Sequence, residues 1–126
     1  MIRIPDPGRF ELRLMDGSAN PYLLQASILA AGLDGLKNKI DPGKPLNCNM
    51  YEDHEKYPDL PKLPNELIQS LEKLKNNKDI NDAFGKEVIN SYIKLRNSEL
   101  KEFKQKENFD KTKPITRWEQ DNTLDC

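Results

Sequence analysis

The sequence predicts a mainly α chain with one or few strands, an α+β class. Three observations carry that expectation: a short alternating run near the start, one helix apolar on nearly every side, and two later amphipathic helices. Alternation at period 2 marks a strand, and apolar spacing near 3.6 marks a helix.

Residues 1–8 hold Pro5, Pro7 and Gly8 and read as a loop leading into the strand. The strand is expected over about residues 9–15, with Phe10, Leu12 and Leu14 on one face and Arg9, Glu11 and Arg13 on the other. It stops at "DGSANP", where Asp16-Gly17 signals a turn. Asn20 is then a good N-cap, and Pro21 suits the first helical position, where a missing N–H costs nothing. A helix follows over about 21–40, uncharged until Asp34, with Tyr22, Leu23, Leu24, Ile28, Leu29 and Leu33 covering most of its circumference. Such a helix belongs inside a larger body.

"DPG" at 41–43 is expected to end that helix, and 41–64 reads as a proline-laden, aromatic-dotted loop. A loop that long is either a functional segment or an ordered crossover over a core. Helices follow over about 65–76, with the stripe Leu67, Ile68, Leu71 and Leu74 and Asn65 as candidate cap, and over about 86–106. Between them Asp79 is expected to cap a short turn through Phe84, ended by Gly85. In the tail, 108–126, Trp118 is the expected docking anchor; Tyr92 and Phe103 read as packing residues on the long helix. A lone strand needs sheet partners, and no second convincing one is visible. From the residues alone, the chain reads as the carboxy-terminal portion of a larger α/β or α+β protein.

Composition narrows the function classes. The 126 residues carry 20 Lys+Arg against 21 Asp+Glu, a formal net charge of −1 with both signs interspersed. That argues against a nucleic-acid footprint and against electrostatic membrane docking. No apolar run reaches the ~18 residues of a membrane span. "MIRIPDPGRF" lacks the apolar core of a signal peptide. Cys48 and Cys126, far apart and without CxxC spacing, suggest reduced thiols, and so a cytoplasmic protein.

The charged face of the strand has two readings. Period 2 lines Arg9, Glu11 and Arg13 up ~7 Å apart on one side. Facing water, they are ordinary surface charges of alternating sign. Facing a cleft, the carboxylate is a hard oxygen ligand for Mg²⁺ or Mn²⁺, and the guanidinium groups hold phosphate or carboxylate oxygens. The triplet alone does not choose between them. His54, in "YEDHEKYP", reads as a surface or hydrogen-bonded residue, its acidic neighbours as a solvated charge run, and Cys48 as structural or incidental.

The surrounding residues add a resemblance. Arg3-Ile4-Pro5, the Arg9-x-Glu11-x-Arg13 strand, Asp16 with Ala19-Asn20-Pro21-Tyr22, and the helix end Ala31 to Gly35 with Asn38 and Lys39 resemble glutamine synthetases where their catalytic α/β barrel finishes. The resemblance is strong over residues 3–46 and looser over 47–126. Only "DPG" separates Pro5 from Arg9, and Met15 stands where many members have proline. Both features are closer to the branch that includes γ-glutamylmethylamide synthetases.

The resemblance implies the C-terminal part of a glutamine synthetase catalytic domain, an ATP-dependent glutamate–ammonia ligase working through γ-glutamyl phosphate. It implies glutamate, ammonia or methylamine, and ATP as substrates, Mg²⁺ or Mn²⁺ as cofactor, and a homo-oligomer. It makes Glu11 the metal ligand, Arg13 the catalytic arginine that also contacts glutamate, and Arg9 and Arg3 the arginines on the ATP phosphates. The family's other metal ligands lie upstream of this segment, so the isolated chain is expected to be inactive. A reading of another class is a non-catalytic helical fragment that acts as an interaction module through the apolar helix at 21–40.

Overall fold

The computed structural model describes residues 2–15, 17–106 and 115–123. Asp16 of the expected turn, Cys126, and tail residues 108–114 and 124–126 lie outside the described residues. What is described is mostly helical, with one two-stranded sheet.

The opening segment is a strand, which corrects the expected loop. β1 spans Ile2–Asp6 and pairs antiparallel with β2, Arg9–Leu12. The prolines that made residues 1–8 look irregular sit where a hairpin tolerates them. Pro7 and Gly8 fill a two-residue turn, and Gly8 has φ +79°, the left-handed value that such a turn reserves for glycine. Partners run Ile2 to Leu12, Arg3 to Glu11 and Asp6 to Arg9, with an irregularity between Arg3 and Asp6. Three steps on β1 there match two on β2, so Ile4 and Pro5 together oppose Phe10. A bulge is one of the few places in a sheet where proline's missing N–H does no harm. β2 is also shorter than the expected 9–15, and Arg13 lies just past its end.

α1 spans Pro21–Asn38. The Asn20 side-chain oxygen accepts from the backbone N–H of Tyr22 at 3.0 Å and of Leu23 at 3.1 Å, the cap expected of that residue. The helix stops two residues before the expected 40. Ile40 N–H donates to Gly35 C=O at 3.0 Å and Lys39 N–H to Leu36 C=O at 3.4 Å, with Lys39 at φ +50°. That is a Schellman ending, in which a left-handed residue folds the chain back over the last carbonyls. None of α1 is buried within this chain: Tyr22 is 82% exposed and Leu36 79%.

Within 41–64 the expected loop contains a short α2, Met50–Asp53, and a 3₁₀ turn, His54–Lys56. Asn49 caps α2 by accepting from Tyr51 N–H. α3 spans Leu67–Asn76, beginning later than expected. The Asn65 side chain is not its cap: Glu66 holds the cap position, and the Asn65 N–H donates to the Gln69 side chain at 3.3 Å. The expected turn at 79–84 is α4, Lys78–Phe84, and its cap is Asn77 instead of Asp79, through Ile80 N–H at 2.9 Å. Asn81 fastens the α3–α4 corner by donating to the Leu74 carbonyl at 3.0 Å. Gly85, at φ +83°, ends α4, and α5 then runs Lys86–Lys106.

The tail forms α6, Arg117–Thr123. Thr116 and Glu119 make a capping box: Glu119 N–H donates to Thr116 Oγ1 at 3.2 Å, and Thr116 N–H donates to Glu119 Oε2 at 2.8 Å. Trp118 meets Phe103 edge-on, with ring centroids 5.5 Å apart.

Two compact units make up the chain: Met1–Ile28 with Glu99–Cys126, and Leu29–Ser98. The first contains the hairpin and α6. The second contains the buried apolar residues, Leu71 of α3 and Ile89 of α5. Among the described residues these two alone are buried and apolar, a thin core. Among the described residues no helix is long and apolar enough to cross a membrane.

Candidate functional site

The hairpin register places Arg3 directly opposite Glu11. In an antiparallel pair, directly opposed residues share a face, and period 2 puts Arg9 on that face too. All four residues singled out from the sequence, Arg3, Arg9, Glu11 and Arg13, come together around one carboxylate. Arg3 Nη1 donates to Glu11 Oε1 at 3.3 Å and to Oε2 at 3.2 Å. Arg9 Nη2 donates to Oε1 at 3.2 Å, and Arg13 Nη2 to Oε2 at 3.2 Å.

Three guanidinium groups around one carboxylate leave the cluster positive. The carboxylate is the more sheltered member: its side chain is 26% exposed, against 52–65% for the three arginines. The Arg3 hydrogen bond, above all, holds the Glu11 carboxyl below the usual glutamate range; burial opposes it, and the charge of Arg3 and the contact with Arg13 add to the lowering. Glu11 is therefore anionic, and the outward-facing arginines are placed for an anion with several oxygens. The apolar residues Ile2 and Leu12 pair on the opposite face of the same hairpin.

Glu11 suits a hard divalent cation as a single oxygen ligand. Mg²⁺ takes six oxygens in an octahedron, so the others would have to come from phosphate, water or residues elsewhere. Among the described residues no group of three or more His, Cys, Asp or Glu is placed to hold a metal ion. His54 lies in the 3₁₀ turn, where the neighbouring Asp53 pairs with Lys56 at 2.6 Å. Cys48 has its thiol 3.5 Å from Met50 Sδ, and its hydrogen bond raises the Tyr57 hydroxyl above the usual tyrosine range.

Spacing groups Arg9, Glu11 and Arg13, and the family resemblance adds Arg3, but neither shows how Arg3 reaches the others. The signal was present in Ile2-x-Ile4 ahead of Pro7-Gly8, an alternating pair followed by a turn.

Comparison with known proteins follows the same lines. Residues 1–114 match the family described as "Glutamine synthetase, catalytic domain". A glutamine synthetase of Rhizobium meliloti is 43% identical over 125 residues, covering 99% of this chain and 27% of that protein. A glutamate–methylamine ligase of Methyloversatilis universalis is 41% identical over 106 residues, covering 82% of this chain and 24% of that protein. Among solved structures, a GmaS/ADP complex superposes with a TM-score of 0.79 at 38% identity, covering 100% of this chain and 27% of that one. The chain thus spans about a quarter of the length of the curated relatives it matches.

Proposed function

We propose, from the premise that the chain belongs to the glutamine synthetase family, that it supplies one wall of the active site of an ATP-dependent ligase joining glutamate to ammonia. The observation that carries this reading is the convergence of Arg3, Arg9 and Arg13 on Glu11 at 3.2–3.3 Å. A positive cluster with one anionic centre suits a polyphosphate together with a divalent cation.

In the reaction, a glutamate side-chain oxygen bonds to the terminal phosphorus of ATP, and ADP departs. Ammonia then bonds to the carbonyl carbon of the acyl phosphate, and the bond from that carbon to the phosphate oxygen breaks, releasing phosphate with the electron pair. Arg9 and Arg3 hold the nucleotide phosphates through charge-assisted hydrogen bonds. Arg13 holds the glutamate carboxylate and the phosphoryl group as its charge spreads in the transition state. Glu11 offers one oxygen to Mg²⁺ or Mn²⁺, which when bound offsets charge on the phosphates. The proton shed by the amine goes to a base outside this chain. A second reading, with methylamine as the amine, rests on the M. universalis relative.

The isolated chain holds one carboxylate of the metal sphere and is inactive in this reading. The test joins the 126 residues to the preceding three quarters of the R. meliloti relative and measures phosphate release with ATP and glutamate. Activity is expected with the joined protein, none with the chain alone, and a loss of about a hundredfold or more for Glu11→Ala. Full activity in Glu11→Ala overturns the reading, and faster turnover with methylamine than with ammonium selects the second amine.

A further inference from the structure

We propose that Arg3 is a positioning residue for Glu11, fixing the direction of its carboxylate across the hairpin. The three arginines touch the same group but not in the same way. Arg9 and Arg13 each reach one oxygen, at 3.2 Å, from the strand that carries Glu11 and the residues just past it. Arg3 reaches both oxygens, at 3.3 and 3.2 Å, from the opposing strand. Arg9 and Arg13 must both be in place to hold the two oxygens, whereas Arg3 meets both from one side chain.

The backbone supports that assignment. Arg3 and Glu11 are register partners, so their Cβ separation is set by the ladder and not by the path of a loop. The bulge follows immediately after Arg3, between it and Asp6. Bulges re-aim the side chains beside them, and this one lies at the residue that grips Glu11. Arg3 Nη1 sits between the two carboxylate oxygens, and its side chain is 56% exposed, so the rest of the guanidinium is open to the phosphate side. Arg3 would then couple the anion to the cation: what it holds on one side sets where Glu11 points on the other.

This inference rests on Glu11 as a cation ligand, and its test separates the two. Binding of ADP to the joined protein, the 126 residues following the rest of the R. meliloti relative, is measured by equilibrium dialysis with and without Mn²⁺, and bound Mn²⁺ is read by electron paramagnetic resonance. The quantity of interest is the factor by which Mn²⁺ strengthens ADP binding. Groups that orient a metal ligand are worth about 10–100-fold in metal affinity, so Arg3→Met should cut this factor about tenfold. Arg9→Met should weaken ADP binding and leave the factor unchanged. Arg3→Lys, which keeps the charge but as a point charge on a flexible stem, should recover only part of it. An unchanged factor in Arg3→Met, an equal loss in Arg9→Met, or full recovery in Arg3→Lys overturns the positioning role. If wild type and Glu11→Ala show the same factor, the reading of Glu11 as cation ligand falls, and this inference with it.

Discussion

Trp118 of α6 meets Phe103 of α5 edge-to-face, with ring centroids 5.5 Å apart and ring planes at 74°. The positive edge of one ring faces the negative face of the other, a preferred aromatic geometry. The contact fastens α6 to the end of α5. A double-mutant cycle of Phe103→Leu and Trp118→Leu, followed by circular dichroism in urea, is expected to give a coupling of about 0.5–1.5 kcal/mol. A value near zero would mean that the two rings are merely adjacent.

The same short helix depends on its cap. Thr116 is 9% exposed and both gives and receives a hydrogen bond with Glu119. Thr116→Ala is expected to destabilise α6 by about 1 kcal/mol. Amide exchange over residues 117–123 should speed up about fivefold while exchange in α3 stays constant.

Lys39 carries a positive φ, +50°, without being glycine. A side chain in that region costs about 1–2 kcal/mol, against about 0.5–1 kcal/mol for the extra chain entropy of glycine. Lys39→Gly is therefore expected to stabilise the chain by about 0.5–1 kcal/mol, seen as a higher urea midpoint. Lys39→Val, stiff at its branched Cβ, should lower that midpoint.

The charge cluster sets a pH dependence whose sign is fixed. Glu11 titrates below the ordinary glutamate value of about 4.3, chiefly through its hydrogen bond from Arg3. A carboxylate lowered on folding contributes stability that is fully present above the ordinary value and is lost as pH falls through the lowered one. The carboxyl carbon of Glu11, followed by nuclear magnetic resonance, should show a midpoint below that of a model peptide. Arg3→Met should raise the midpoint more than Arg9→Met does, and 0.5 M salt should narrow the difference.

Much of this architecture was legible in the residues. Asn20-Pro21 announced α1 because an Asx cap and a proline at the first helical position are both local in origin, and 86–106 was correctly bounded by its stripe and Gly85. β1 was not legible, because Pro5 and Pro7 argue against a strand unless the bulge and turn that accommodate them are known. The later caps misled for a similar reason. Asn65 and Asp79 are suitable cap residues by type, yet Gln69 engages the Asn65 backbone, and Asn77 accepts the Ile80 N–H ahead of Asp79. At the site, spacing grouped Arg9, Glu11 and Arg13, but which arginine takes both carboxylate oxygens depends on strand register. Register belongs to a pair of strands and cannot be read from one of them.

The hairpin also bears on the order in which the chain assembles. Arg3 and Glu11 are eight residues apart, joined through the Pro7-Gly8 turn. Contacts this local close in about 1–10 μs, ahead of any packing between distant helices. The charged face is thus sketched early in folding, from a dozen residues. A two-stranded ribbon is only marginally stable by itself, so this early geometry opens and closes many times before the rest of the chain has packed.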